Sequence, residues 1–232
     1  RRGAVLALTS TFSNTVMIGI PLVGLAFGEQ GLVTLFTLYT LHTVLLLTLA
    51  TLVLELATAR EARRSGGEGA GTGMARTLFI AVRNSVLHPV PLPIIAGMLF
   101  AQTGLSLPAF IDKPLQLLGA ALSPVALMLV GITLAHTPLA RHVRGALGLV
   151  VAKNIVMPAV VATAGVLLGV TGVPLMVVVV VAGLPAGANS FLFSQRYQVA
   201  QDTVTATVGL ATLTALATVP VVMSVASWLA GR

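Results

Sequence analysis

The stretch Phe12–Pro21, F-S-N-T-V-M-I-G-I-P, constrains the whole chain. It lies within an apolar run long enough to cross a bilayer, yet it carries Ser13, Asn14, Thr15, Gly19 and Pro21. Proline removes a backbone donor and crowds the carbonyl four residues before it. Glycine loosens the same turn. Hydrocarbon offers no partner for the freed groups, so a break at this depth must face protein or a water-filled cavity. A second stretch repeats the pattern: Gly183–Ser190, G-L-P-A-G-A-N-S, also inside an apolar segment. Two Gly/Pro-interrupted spans, each with an Asn and a Ser close by, point to the binding site of a secondary transporter.

Composition supports a membrane setting. Of the 232 residues, 56% are hydrophobic and 8% charged, with a mean hydropathy of +1.01. Soluble domains are about 25% charged, so that class is excluded. The net charge of +7 resides in a few short polar loops, as the positive-inside rule predicts, and does not suggest a nucleic-acid partner. With no cysteine there is neither a disulfide framework nor a thiolate metal site. The first apolar run is too long, and too interrupted, for a signal peptide. The expectation is a fragment that lacks upstream residues.

A membrane span needs about 20 apolar residues. Seven are expected, at 4–28, 31–57, 86–103, 109–136, 145–170, 175–196 and 203–230, which makes the chain an all-α integral membrane protein. The first is broken near Gly19–Pro21 and the sixth at Gly183–Ser190. Residues 58–74 are basic and Gly-rich and read as a flexible cytoplasmic loop. Residues 75–85 read as an amphipathic lead-in, and Gly104–Pro108 and Thr171–Pro174 as turns. Arg1 and Arg2, then Arg60 to Arg83, then Arg141 and Arg144, then Arg196 fall on alternate connections. Those ends are assigned to the cytoplasm.

S-N-T-V-M-I-G-I-P-L resembles the first broken helix of the auxin efflux carrier family. R-N-S-V-L-H-P, S-P-V-A-L-M-L-V-G-I-T-L-A and L-P-A-G-A-N-S-F-L-F-S-Q-R-Y continue the resemblance in the family's order along nearly the whole chain. Bacterial relatives are more similar than plant ones. The resemblance implies a ten-span carrier built as two inverted five-span repeats, with two crossing broken helices and a fold related to bile acid sodium symporters. On that frame residues 1–57 are the last two spans of the first repeat, and 58–74 a cytoplasmic loop. Residues 75–232 are the complete second repeat. It also implies that Asn14, Gly19, Pro21, Pro185 and Gly187 form the crossover and contact substrate. Asn189 matches the bacterial pattern, and the neighbouring Thr15 and Ser190 join the candidate set.

The chemistry of such a crossing suits an anion. Helix N-termini expose unpaired amides and a partial positive charge, and Asn14 and Asn189 supply further donors. The competing reading is two kinks packed against neighbouring helices. Lys153 is an intramembrane cation, a functional hypothesis by default. It lies nine residues from Arg144, about 13 Å along a helix, so snorkelling to the cytoplasmic surface is the plainer expectation. His42 falls near mid-span and either couples protons or is a neutral hydrogen-bonding partner between helices. Gly24/Gly28, Gly165/Gly169 and Gly183/Gly187 have the spacing of close helix packing.

The expected function is therefore secondary transport of a small mono- or dicarboxylate by alternating access, with no cofactor and no metal. The partners are that carboxylate and the lipid bilayer, and a homodimer is left open. The setting is a multi-pass place in the cell membrane, the bacterial inner membrane. The alternative is a seven-helix receptor or another non-transport membrane protein. Against it stands the cytoplasmic N-terminus, and a retinal protein would need its deep lysine in the last span. No HExxH, GxSxG or paired membrane carboxylate supports an enzyme.

Overall fold

A computed structural model describes residues 1–64, 79, 83, 91–136 and 143–231. Among them the chain is helical, apart from turns and two short extended segments. The order is α1 (Arg2–Thr11), a π-helical turn π1 (Thr15–Gly19), α2 (Ile20–Arg64), α3 (Pro91–Gln102), α4 (Ala109–His136) and α5 (Val143–Val151). A second π turn, π2 (Ala152–Val156), leads directly into α6 (Met157–Leu167). Then come α7 (Gly172–Gly183), α8 (Ala188–Tyr197) and α9 (Gln201–Ala230).

Among the described residues three stretches are long and apolar enough to cross a membrane: Thr15–Leu54, Val143–Leu167 and Gln201–Ala230. The first is interrupted. Gly28 takes a left-handed conformation, φ 61 and ψ −151, inside α2. A Cβ placed on Gly24 would lie 3.6 Å from the Leu32 side chain, whereas eight residues of straight helix would hold these positions about 12 Å apart. The chain therefore folds back at Gly28. This glycine is there for its φ, not for helix packing, and so is Gly169 at φ 72; the packing expectation fails for both. Beyond the turn, α2 runs on to Arg64, so residues 58–64 of the expected loop are helical. Residues 65–78, 80–82, 84–90 and 137–142 lie outside the described residues, and with them the rest of the expected loop, most of the lead-in and of the R-N-S-V-L-H-P motif, the start of the third expected span and the basic loop residue Arg141.

The core is built around α7. Its residues Leu175, Val177 and Val179 to Gly183 are buried. A run of valines is a poor intrinsic helix former, but a helix surrounded by other helices can be apolar on every face. Val177, Val181 and Leu184 pack with Val23 and Leu35 of α2 and with Ala215 and Val219 of α9. Leu175, Val179 and Val180 pack with Ala162 of α6 and Ala226 of α9. The outward faces are equally apolar. Leu41, Leu45, Leu49 and Val53 recur every fourth residue on α2, and each is 48–61% exposed. Such a stripe is soluble only in lipid.

Candidate functional site

Both interrupted stretches open into extended backbone, and the openings meet. After α1, Phe12 adopts φ −83 and ψ 117. After α7, Leu184 adopts φ −64 and ψ 151, and Gly187 adopts φ −81 and ψ 155. Ser13 and Ala186 pair as an isolated antiparallel bridge. Asn14 N–H donates to Pro185 O and Gly187 N–H donates to Phe12 O, both at 2.8 Å. Ser13 Oγ donates to Val181 O at 2.7 Å. Each opening thus supplies partners for the other's backbone, which is how two broken helices are tolerated away from water.

The first opening lies upstream of its expected place. Gly19 and Pro21 are helical, and the backbone opens at Phe12–Asn14. The reason is π1. In that wider turn Gly19 N–H bonds Asn14 O at 3.2 Å and Ile20 N–H bonds Thr15 O. Pro21 then occupies the second position of α2, directly after the π turn, whose wider ring accommodates the proline and its missing donor. Gly19 serves packing instead: a Cβ there would lie 2.9 Å from Leu184 Cδ1. Gly187 is held more tightly. A Cβ on it would lie 2.7 Å from Ser13 O and 2.9 Å from Phe12 Cδ1.

The side chains divide into two groups. Thr15 Oγ1 points to Ser13 O at 3.4 Å and Ser190 Oγ donates to Gly187 O, so these hydroxyls serve their own segments. Asn14 and Asn189 are half-buried, and the Asn14 side chain does not cap its own helix. Pro185 is buried beside them. Two helix starts, π1–α2 and α8, therefore begin at one crossing, each with amides that have no acceptor within the helix.

Lys153 does not snorkel. It lies on π2, is fully buried, and donates from Nζ to Ala182 O at 2.6 Å. Ala182 is in the last turn of α7, where the carbonyls carry a partial negative charge that favours a cation. Among the described residues no carboxylate pairs with Lys153. The reason snorkelling fails is orientation: the π turn directs Lys153 and Asn154 inward together. Asn154, which sequence reasoning passed over, donates from Nδ2 to Ala211 O at 2.9 Å and to Thr214 Oγ1 at 2.8 Å. It ties π2 to α9 and so holds Lys153 in place. An adjacent Lys-Asn pair in an apolar run just before Pro158 was the available signal.

His42 approaches the crossing from α2. Its ring meets Phe12 edge-on, with centroids 5.6 Å apart and planes at 61°. Among the described residues its buried Nε2 has no hydrogen-bond partner. Among the described residues no group of three His, Asp or Glu side chains is arranged to hold a metal.

The crossing can be compared with known proteins. The profile of the membrane transport protein family matches residues 1–223. A protein of Rhizobium meliloti (strain 1021) named "Putative malonate transporter" is 32% identical over 139 residues. That alignment covers 59% of this chain and 43% of the relative, so the chain spans less than half of that protein's length in the match.

Proposed function

The chain belongs to the membrane transport protein family, the auxin efflux carrier-like transporters, and we propose that within it this protein carries a small organic anion, a mono- or dicarboxylate. It is a multi-pass membrane protein and a transporter rather than an enzyme. The observation that carries the anion reading is Lys153, a fully buried amine beside the crossing that, among the described residues, has one backbone partner. A buried charge without a counterion is strongly disfavoured, and an incoming carboxylate would supply the missing charge. The relative's name refers to a dicarboxylate, malonate, which agrees in chemical class.

In this reading the carboxylate sits between the starts of π1–α2 and α8. Backbone amides and the side chains of Asn14 and Asn189 provide donors, and Lys153 provides charge. Gly19, Pro21, Pro185 and Gly187 shape the crossing, while Thr15 and Ser190 hold its backbone. Alternating access moves the two openings together, because three hydrogen bonds join them. The ten-span inverted repeat, with residues 1–57 and 75–232 in separate repeats, is the frame we propose for that movement. The experiment is uptake of radiolabelled short mono- and dicarboxylates into proteoliposomes holding the complete protein. Saturable uptake is expected. Uptake of cations or neutral sugars alone would overturn the reading.

A further inference from the structure

A groove of about 460 Å³ runs between π2–α6, α7 and α9, a size in the range of small-ligand pockets. Its walls are Pro158, Ala162, Val179 and Val222, and among the described residues no ionisable side chain lines it. Its rim carries Ile155, Val221 and Val225, which are 46–62% exposed. The groove therefore opens sideways, onto the apolar surface that lies in lipid. Two oxygens of its lining residues, Asn154 Oδ1 and Thr218 Oγ1, are buried with no hydrogen-bond partner among the described residues. Asn154 is 1% exposed, and its Nδ2 is already committed to Ala211 O and Thr214 Oγ1. Thr205, Thr207, Thr212 and Thr214 of α9 each donate to a carbonyl one turn back, whereas Thr218 does not. A buried unpaired oxygen is unfavourable, so two of them in one apolar groove mark a place for a polar ligand group.

We infer that this groove binds a neutral, single-chain amphiphile with one hydroxyl, taken sideways from the bilayer. Thr214 holds the Asn154 amide, and Thr218 lies four residues further along α9. That spacing puts the two unpaired oxygens one helical turn apart, about 5–6 Å. A single hydroxyl spans such a gap with two bonds of about 2.8 Å. It donates to Asn154 Oδ1, which can only accept, and accepts from Thr218 Oγ1. The ligand's chain then lies along Pro158, Ala162 and Val222. A water molecule would pair both oxygens but leave the apolar walls unfilled, and a charged headgroup would find no counterion. This ligand is a different occupant from the anion at the crossing, and its binding does not depend on the carrier reading. It sits directly on the Asn154 bonds that tie π2 to α9, so its occupancy stabilises that tie.

The test uses the complete protein in lipid nanodiscs and two photoreactive probes of equal length, a decanol and a decane, each with a diazirine in mid-chain. Peptide mapping after illumination is expected to place the decanol on the stretches around Pro158 and Val222. Labelling there by the decane should be about 5–100-fold weaker, since it makes two hydrogen bonds fewer. The lipid-facing stripe Leu41 to Val53 should take both probes equally. Thr218→Val keeps the shape and deletes the hydroxyl; it is expected to weaken decanol labelling about 2–10-fold, the loss of one neutral hydrogen bond, and to leave decane labelling unchanged. Ala217→Phe fills the groove from an exposed position on α9 and is expected to abolish groove labelling, which keeps the test open if Thr218→Val does not fold. Equal groove labelling by the two probes, or decanol labelling unaltered in folded Thr218→Val or in Ala217→Phe, reduces the groove to ordinary lipid contact and overturns the inference. A parent protein with no groove labelling would mean that other spans of the complete protein fill the groove, and overturns it equally.

Discussion

Replacing Gly187 with alanine tests the crossing at its tightest point. The backbone of Gly187, φ −81 and ψ 155, is one that alanine adopts freely, so no conformational strain enters. The effect is purely steric. The added Cβ would lie 2.7 Å from Ser13 O, 2.9 Å from Phe12 Cδ1 and 3.0 Å from Ser13 C. Two of those atoms are backbone, so they yield only if the bridge opens. Overpacking costs about 1–3 kcal/mol, and stranding one of the bridging amides costs about 1–3 kcal/mol more. A destabilisation of about 2–6 kcal/mol follows. At about 2–4 °C per kcal/mol for a chain of this size, the thermal midpoint should fall by roughly 4–24 °C. The assay is thermal unfolding of the complete protein in detergent, with Gly148→Ala as control. Nothing lies within 4 Å of a Cβ at Gly148, and alanine is the better helix former, so the control should be neutral or slightly stabilising. If Gly187→Ala unfolds at the same temperature as Gly148→Ala, the two openings are not in contact and the crossing is misdescribed.

Two further outcomes follow from the same geometry, and a third from the alternation of basic loops in the sequence. Asn154→Ala removes both bonds to α9 and should destabilise the protein by about 1–3 kcal/mol, read as a lower midpoint in the same unfolding assay; an unchanged midpoint would refute the clamp. Ser13→Ala deletes the bond to Val181 O and should cost about 1 kcal/mol with little change in substrate affinity, so a large affinity loss would mean that the hydroxyl contacts substrate. Single cysteines at Ser65 and Thr171 should label from opposite sides of intact cells, Thr171→Cys from outside and Ser65→Cys only after permeabilisation, and the reverse pattern would invert the assigned topology.

Much of the site was legible because its chemistry is local. Gly-Ile-Pro and Gly-Leu-Pro in apolar runs mark interrupted helices wherever they pack, and both interruptions are present. Their exact placement was not legible, since Pro21 reads as a helix breaker until π1 is seen to absorb it just upstream. The inward course of Lys153 was hidden for the same reason: distance along a regular helix suggests the surface, while a π turn rotates the side chain toward α7. Gly28 and Gly169 read as packing glycines by spacing alone, because spacing carries no information on the sign of φ. The pairing of Ser13 with Ala186, 173 positions away in the chain, depends on tertiary structure that no local pattern encodes.

The central claim is that Lys153 supplies the charge for an anion bound at the crossing. Its most direct test is calorimetric titration of malonate into the complete protein and into Lys153→Met, which keeps the length and removes the charge. The account predicts that the variant folds, since removing an unpaired buried charge is often neutral or stabilising, and that malonate binding weakens by about 100-fold or more, as for loss of a buried charge partner. Malonate binding to folded Lys153→Met with parental affinity would contradict it.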